Sequence, residues 1–134
     1  MDLHLSLSRI PIHISVHGKG DAKGELFRHL APLTLGTLLR DMPINGRVNR
    51  FEDVFIYVIS DVVMGMEKTK RVFLKGEIAF LALNSAICVF LKDSTVAKPM
   101  NPIGKITSGF KILENASAGD VIEMRQDASS GPAP

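Results

Sequence analysis

The clearest feature of the chain is an alternation of apolar and polar residues near its amino terminus. Every second position from 9 to 17 is apolar, at Ile10, Ile12, Ile14 and Val16. A period of two predicts a half-buried strand with one face toward a core. The glycine-containing segment 18–21 predicts a turn, because glycine accepts positive φ angles. A second strand over residues 23–29 is expected to pair with the first as a hairpin.

The rest of the chain predicts more short strands and one main helix. Pro32 suits the first helical turn, and three leucines follow at helical spacing up to about Asp41. Pro43 ends the helix, because proline disfavours helical geometry in the residue before it. Further strands are predicted over 46–51, 54–59, 71–74, 77–81, 86–91, 103–106 and 121–124, with a helical turn at 110–113, a tight turn at 83–85, a mobile loop at 64–70 and another loop at 92–101.

This series of elements predicts a mainly β fold with one main helix and a short helical turn. A closed barrel is expected, because closure removes the exposed edges that many short strands would leave. The chain of 134 residues has the size of one domain. Residues 1–126 are assigned to that domain. Residues 127–134 lack a large apolar side chain and are expected to form a disordered tail.

Charge and apolar content narrow the expected partners and location. Sixteen basic and fourteen acidic side chains give a net charge of +2, too near balance to favour nucleic acid. The longest apolar run, residues 80–91, is interrupted at Asn84 and Ser85 and is too short to span a bilayer. Residues 1–9 lack the pattern of a secretory signal. The single cysteine, Cys88, cannot form an internal disulfide, so a cytoplasmic location is expected.

Three segments resemble cyclophilins, the peptidyl-prolyl isomerases, and they occur in the same order along the chain. They are Glu25-Leu26-Phe27 with Pro32 and Thr34, Gly76 to Phe80 with Asn84 and Ser85, and Ile103 to Phe110 with Gly104 and Gly109. The chain is shorter than a standard cyclophilin. It is more similar to the compact prokaryotic cyclophilin-like family, whose members have the barrel but no settled activity. The resemblance implies a cyclophilin-like barrel with a cleft on its side.

The isomerase residues that the resemblance implies are only partly present. Prolyl isomerisation has a barrier of roughly 20 kcal/mol, which an enzyme lowers by binding the twisted amide. In cyclophilins an arginine donates to the proline nitrogen, and a phenylalanine five residues later lines the proline pocket. Arg50 and Phe55 have this spacing and are the candidate catalytic residues. Val58 occupies the position of the glutamine that follows in cyclophilins, and the tryptophan expected in the family is absent because the chain has none.

Three functions therefore remain open from the sequence. The first is a binding module that takes a small molecule or a proline-containing peptide in the cleft. The second is a weak prolyl isomerase that uses Arg50 as donor and Phe55 as pocket. The third is a subunit whose barrel face makes an oligomer contact. The candidate ligand-binding residues, beside the two catalytic candidates, are Phe51, Phe80, Asn84 and Phe90.

Metal and thiol chemistry have little support in the sequence, and no cofactor is expected. His13 and His17 would share one face of a strand but lie roughly 13 Å apart, too far for one metal ion. Cys88 stands in an apolar strand, which predicts a packed and inert thiol. Methionines at 64, 66 and 100 are expected in loops beside the cleft, where they would form an adaptable rim or fill gaps.

Overall fold

The computed structural model describes residues 8–127. It contains ten strands, two α-helices and one turn of 3₁₀ helix. The strands are β1 (Arg9–Val16), β2 (Gly20–Phe27), β3 (Ile44–Arg47), β4 (Asn49–Phe51), β5 (Phe55–Ile59), β6 (Lys70–Phe73), β7 (Glu77–Leu81), β8 (Ala86–Phe90), β9 (Ser94–Ser108) and β10 (Val121–Gln126). The helices are α1 (Pro32–Asp41), α2 (Phe110–Glu114) and the 3₁₀ turn (Ala82–Asn84).

One curved, antiparallel sheet contains nine of these strands. Its order is β3-β10-β1-β2-β9-β7-β8-β5-β4, and β6 pairs with β9 away from this path. The main apolar cluster draws residues from most of these strands and from both helices, so the sheet curls around a shared interior. The alternation predicted for β1 is confirmed, because Ile12 and Ile14 are fully buried in this cluster. The mainly β class is confirmed.

The two ends of the sheet are not joined by hydrogen bonds, so the predicted closed barrel is not confirmed. Its end strands, β3 and β4, are neighbours in sequence, separated by Val48 alone. A single strand had been expected over residues 46–51. The Val48 amide instead donates to the Asp120 carbonyl at 2.8 Å, and Gly119 donates to the Val48 carbonyl at the same distance. These two bonds divert the chain and break the strand in two.

The prediction of a loop over residues 92–101 is wrong, because β9 already begins at Ser94 and continues for 15 residues. Its first half pairs with β6, and its second half pairs with β2 and β7. Val96 and Met100 are buried against apolar side chains of the sheet. This burial keeps β9 extended although it contains Pro99 and Pro102. Residues 94–100 are called the arm below.

A second apolar cluster lies on the outer face of the sheet, beneath β6 and the arm. Strand β8 is buried along its whole length, because Ile87 and Val89 face the interior while Ala86, Cys88 and Phe90 face this second cluster. Strands that are covered on both faces read as continuous apolar runs rather than as alternating ones. The fold therefore has two layers at this point, and the arm belongs to the outer one.

Helix α1 has the predicted bounds and contacts β2 and β9. Segment 64–70, predicted as a mobile loop, lacks regular structure up to β6, and its Glu67 is hydrogen-bonded to the start of α1. The predicted tail lies outside the described residues except for Asp127, which is buried and 3.5 Å from Lys23. No helix within residues 8–127 is long and apolar enough to cross a membrane.

Candidate functional site

A half-open pocket of about 640 Å³ lies between the outer face of the sheet and the arm. Strands β5 and β8 form its floor, the arm forms one wall, and the end of β4 and the 3₁₀ turn form its rim. The lining residues are Phe51, Val54, Phe55, Tyr57, Leu81, Asn84, Ala86, Ser94, Thr95, Val96, Ala97, Lys98 and Met100. Most of them are apolar, so the pocket favours an apolar guest.

The floor of the pocket follows from the period of two along β5. Ile56 and Val58 belong to the interior cluster, so Phe55 and Tyr57 must point to the opposite face. Phe51 pairs with Phe55 across the β4–β5 hairpin, and their rings stack with centroids 5.2 Å apart. Half of the Phe51 surface remains exposed, so this ring is the most accessible aromatic face of the site.

A packed aromatic cluster lies beside the pocket, on the same outer face of the sheet. The fully buried ring of Phe90 stacks on that of Phe73, with centroids 4.6 Å apart and an interplanar angle of 9°. Phe90 also contacts Phe55, with ring centroids 5.3 Å apart. Aromatic contacts of this kind fix the orientation of the rings beyond the effect of burial alone. The floor is therefore firm before any ligand arrives.

The arm wall is formed by a bulge that strand β6 holds in place. Thr95 pairs with Val72 and Met100 with Lys70, so four arm residues, 96–99, lie opposite the single residue Arg71. The Arg71 Nε donates to the Val96 carbonyl at 2.9 Å, which fixes the start of the bulge. Extra residues in a paired strand re-aim side chains near binding sites. Here three of the four residues of the bulge, Val96, Ala97 and Lys98, line the pocket.

The far end of the arm is anchored by Asn101, whose side chain is fully buried. Its amide nitrogen donates to the Thr34 hydroxyl at 3.1 Å and to the Gly65 carbonyl at 3.0 Å. Its amide oxygen accepts the Glu67 N–H at 2.8 Å. The hydrogen-bonded side chain of Asn101 thus ties the arm to α1 and to the segment 64–70 that leads into β6.

Lys98 is the sole charged residue among those that line the pocket. Its side chain is exposed, and it makes no salt bridge within residues 8–127. Lys92 and Asp53, each within two residues of a lining residue, pair with each other at 3.3 Å. The positive charge at the pocket is therefore that of Lys98.

The structure brings three of the predicted site residues together and leaves the others outside the pocket. Phe51, Phe55 and Asn84 all line it. Phe80 pairs with Ile87, faces the interior and is fully buried. Phe90 is on the same outer face, but it is fully buried between Phe55 and Phe73 and is not in the lining. Of the three methionines expected beside the cleft, Met100 alone is in the lining.

Arg50 is not brought to the pocket or to Phe55. Since Phe51 pairs with Phe55, the adjacent Arg50 falls on the opposite face of the hairpin, opposite Ile56. Its Nη1 atom donates to the carbonyls of Glu114 and Ala116, at 3.3 and 2.7 Å, and so satisfies the end of α2. The two candidate catalytic residues therefore do not share a site in this structure.

The Cys88 thiol and the histidine side chains are not among the residues that line the pocket. Burial raises the pKa of the Cys88 thiol far above its usual range, so the reactive thiolate does not form. The His13 imidazole Nε2 lies 3.8 Å from a carboxylate oxygen of Asp21 on the paired strand β2. Its charged neighbour is therefore an acid and not a second histidine. Within residues 8–127, no group of three or more His, Cys, Asp or Glu side chains is placed to hold a metal ion.

A family model described as Cyclophilin-like matches residues 10–125, which is most of the chain. The chain belongs to the Cyclophilin-like family. The family predicted from the sequence is thereby confirmed.

Two solved structures share this fold at low sequence identity. The hypothetical protein AF2241 from Archaeoglobus fulgidus has a TM-score of 0.73 and 22% identity, and the match covers 90% of this chain and 96% of that one. A structure of McbB in complex with tryptophan has a TM-score of 0.70 and 14% identity. That match covers 91% of this chain but only 46% of McbB. No curated protein sequence matches the chain.

Sequence reasoning missed the arm, which supplies five of the lining residues besides Met100. Tyr57 and Leu81 were also missed, although a signal for them was available. Residues that alternate with buried interior positions on β5 and β7 must face outward, and both side chains are large, one aliphatic and one aromatic. The pairing of the arm with β6 had no comparable signal, because it depends on contacts between distant segments.

Proposed function

We propose that this protein binds a small apolar molecule in the pocket, with the arm as one wall of the site. The observation that carries the proposal is a pocket of about 640 Å³, lined mainly by apolar side chains over a packed aromatic floor. Small-molecule sites have volumes of roughly 300–1,000 Å³ and place a few polar groups among apolar walls. Asn84, Tyr57 and Thr95 supply such polar groups here.

A proline-containing peptide is the second candidate ligand, and weak prolyl isomerisation is the alternative activity. Isomerisation requires a cationic donor beside the proline nitrogen. The Arg50 guanidinium is engaged by two backbone carbonyls on the face away from Phe55. Binding without catalysis therefore accounts better for the geometry. We also propose a cytoplasmic location, in keeping with the single cysteine, Cys88, and its free, buried thiol.

Tyr57 gives a direct optical test of binding. It is the only tyrosine in a protein without tryptophan, and it lines the pocket. The neutral compound cyclohexanepropionamide does not absorb where tyrosine is excited, so its binding is expected to change Tyr57 emission in a saturable way. A linear response up to about 10 mM, ten times the Kd of a complex with a binding free energy of about −4 kcal/mol, contradicts the proposal. Tryptophan, the molecule in the McbB complex, is tested beside it by calorimetry.

Truncating Phe51 is expected to weaken that binding with little change in folding. Phe51→Ala removes a half-exposed ring from the rim, so the Kd for cyclohexanepropionamide should rise about fivefold. Leu83→Ala is the matched control, because Leu83 is 72% exposed, lies in the 3₁₀ turn and is outside the lining. Calorimetric titration of both variants measures the difference. Equal affinities in the two variants count against this pocket as the site.

A protease-coupled assay on an Xaa-Pro peptide separates binding from catalysis. The binding proposal predicts a rate at background. A rate above background that Phe55→Ala abolishes and Leu83→Ala retains would establish the isomerase alternative instead. Arg50→Lys then shows whether the guanidinium takes part in that rate, because lysine keeps the charge but not the planar donor geometry.

A further inference from the structure

We infer that the pocket selects ligands that carry a carboxylate on an apolar body, and that Lys98 is the residue that recognises the carboxylate. This inference rests on the proposed function, since it concerns the ligand of the same pocket. It follows from three observations: the charge of the lining, the state of the neighbouring charged groups, and the position of the bulge.

The first observation is that the lining carries one cation and no acid. Twelve of the thirteen lining residues are uncharged, and the thirteenth is Lys98. An apolar surface lowers the local dielectric response, so a charge at its edge acts more strongly than the same charge in open water. A ligand that places an anion at Lys98 and its apolar part over Phe55 satisfies both features at once.

The second observation is that two neighbouring lysines are paired with acids while Lys98 is not. Lys92 pairs with Asp53, and Lys70 pairs with Glu77 at 3.2 Å. The Lys98 side chain is exposed and forms no salt bridge within the described part of the chain. An incoming carboxylate therefore meets a cation without first displacing an internal partner, and no acid of the lining repels it.

The third observation is that the bulge places Lys98 at the pocket rather than along β6. Residues 96–99 lie opposite Arg71 alone, so they cannot all pair with β6 and must loop outward. The bond from Arg71 Nε to the Val96 carbonyl fixes the point where this loop leaves the strand. The guanidinium of Arg71 adds a second positive charge behind the same segment, which reinforces the preference for an anion.

A pair of isosteric probes tests the charge preference. Cyclohexanepropionate and cyclohexanepropionamide have the same apolar body, and they differ in the charge of the head group. We expect the carboxylate to bind wild type about fivefold more tightly at low salt. The difference should shrink in concentrated NaCl, because salt screens the interaction. Tyr57 emission reports both titrations.

Variants of Lys98 assign the preference to a residue. Lys98→Gln should remove the fivefold difference, whereas Lys98→Arg should retain it. Lys98→Glu should reverse it, so that the amide binds better. Lys111→Gln is the matched control, because Lys111 is exposed on α2 and is outside the lining. Its effect on either probe should be absent.

The outcomes separate this inference from the proposed function. If both probes bind wild type with equal affinity, the charge inference is overturned and the proposed pocket stands. If the carboxylate is preferred but Lys98→Gln retains the preference, Lys98 is not the residue that reads the charge, and the inference is overturned. If neither probe binds, the proposed function is contradicted, and the inference falls with it.

Discussion

Replacing Gly104 with alanine is expected to lower the free energy of unfolding by about 3 kcal/mol, the largest effect predicted for a single substitution here. A Cβ at this position would collide with the Glu25 carbonyl oxygen. The same Cβ would also lie 2.9 Å from Leu26 Cδ2 and 3.0 Å from the Glu25 carbonyl carbon. Gly104 pairs with Leu26 across β2 and β9. The collision is with backbone, which cannot move away without breaking the pairing.

The control is the same chemical change at a position with space for it. Gly36 lies in α1, and its nearest neighbour to an added Cβ is Arg40 Nη1, at 3.8 Å. Gly36→Ala should stabilise the protein by about 0.5–1 kcal/mol, because alanine favours the helix and restricts the unfolded chain. Urea unfolding measures both variants. Similar stabilities for Gly104→Ala and wild type would show that β2 and β9 are not so closely packed.

Replacing Glu67 with glutamine is expected to cost about 1–2 kcal/mol near neutral pH. Its carboxylate accepts hydrogen bonds from the Leu33 and Thr34 amides at 3.0 and 2.9 Å, and from the Thr34 hydroxyl at 2.8 Å. These amides belong to the start of α1, which has no capping side chain of its own. Glutamine keeps the size of the side chain but loses one acceptor oxygen and the charge.

The cost of this substitution should depend on pH. Burial raises the pKa of Glu67, but the hydrogen bonds from Leu33 and Thr34 and the charge of Lys68 together lower that pKa below its ordinary value of 4.5. The bound carboxylate therefore adds its full stability above pH 4.5, and this stability is lost as the pH falls through the lower pKa of the folded state. The difference between wild type and Glu67→Gln should shrink over that acidic range.

Glu123→Gln provides the comparison for an exposed carboxylate. Glu123 lies 3.8 Å from Arg125 in an exposed pair, which adds little to stability. Its substitution should leave the urea midpoint nearly unchanged at every pH. If Glu67→Gln behaves in the same way, the link between the loop and α1 does not contribute to folding as the hydrogen bonds indicate.

The fold could be predicted from the sequence wherever the pattern was local. The alternation in β1 reports burial on one face, and the leucine spacing with Pro32 and Pro43 bounds α1, so both were placed correctly. The break at Val48 was not predictable, because it depends on hydrogen bonds to residues 119 and 120, far along the chain. Closure of the sheet depends on the same kind of long-range contact.

The site was predictable only in part, for the same reason. Asn84 lies in a segment that resembles cyclophilins, Phe55 has the family spacing from Arg50, and both line the pocket. Arg50 has the family spacing, but spacing along a hairpin does not decide which face a side chain occupies. The strand register places Arg50 on the face opposite to the pocket. Lys98 had no motif at all. Its place in the site comes from the bulge between the arm and β6, which pairs segments separated by more than twenty residues.

Mapping amide chemical shifts by NMR during a titration with cyclohexanepropionate tests the proposed site most directly. Binding in the pocket should shift the amides of Phe55, Tyr57, Val96 and Lys98 with one common Kd, and leave those of β1 and β10 in place. Saturable shifts centred on β1 and β10, or no saturable shift at the arm and β5, would contradict ligand binding between the sheet and the arm.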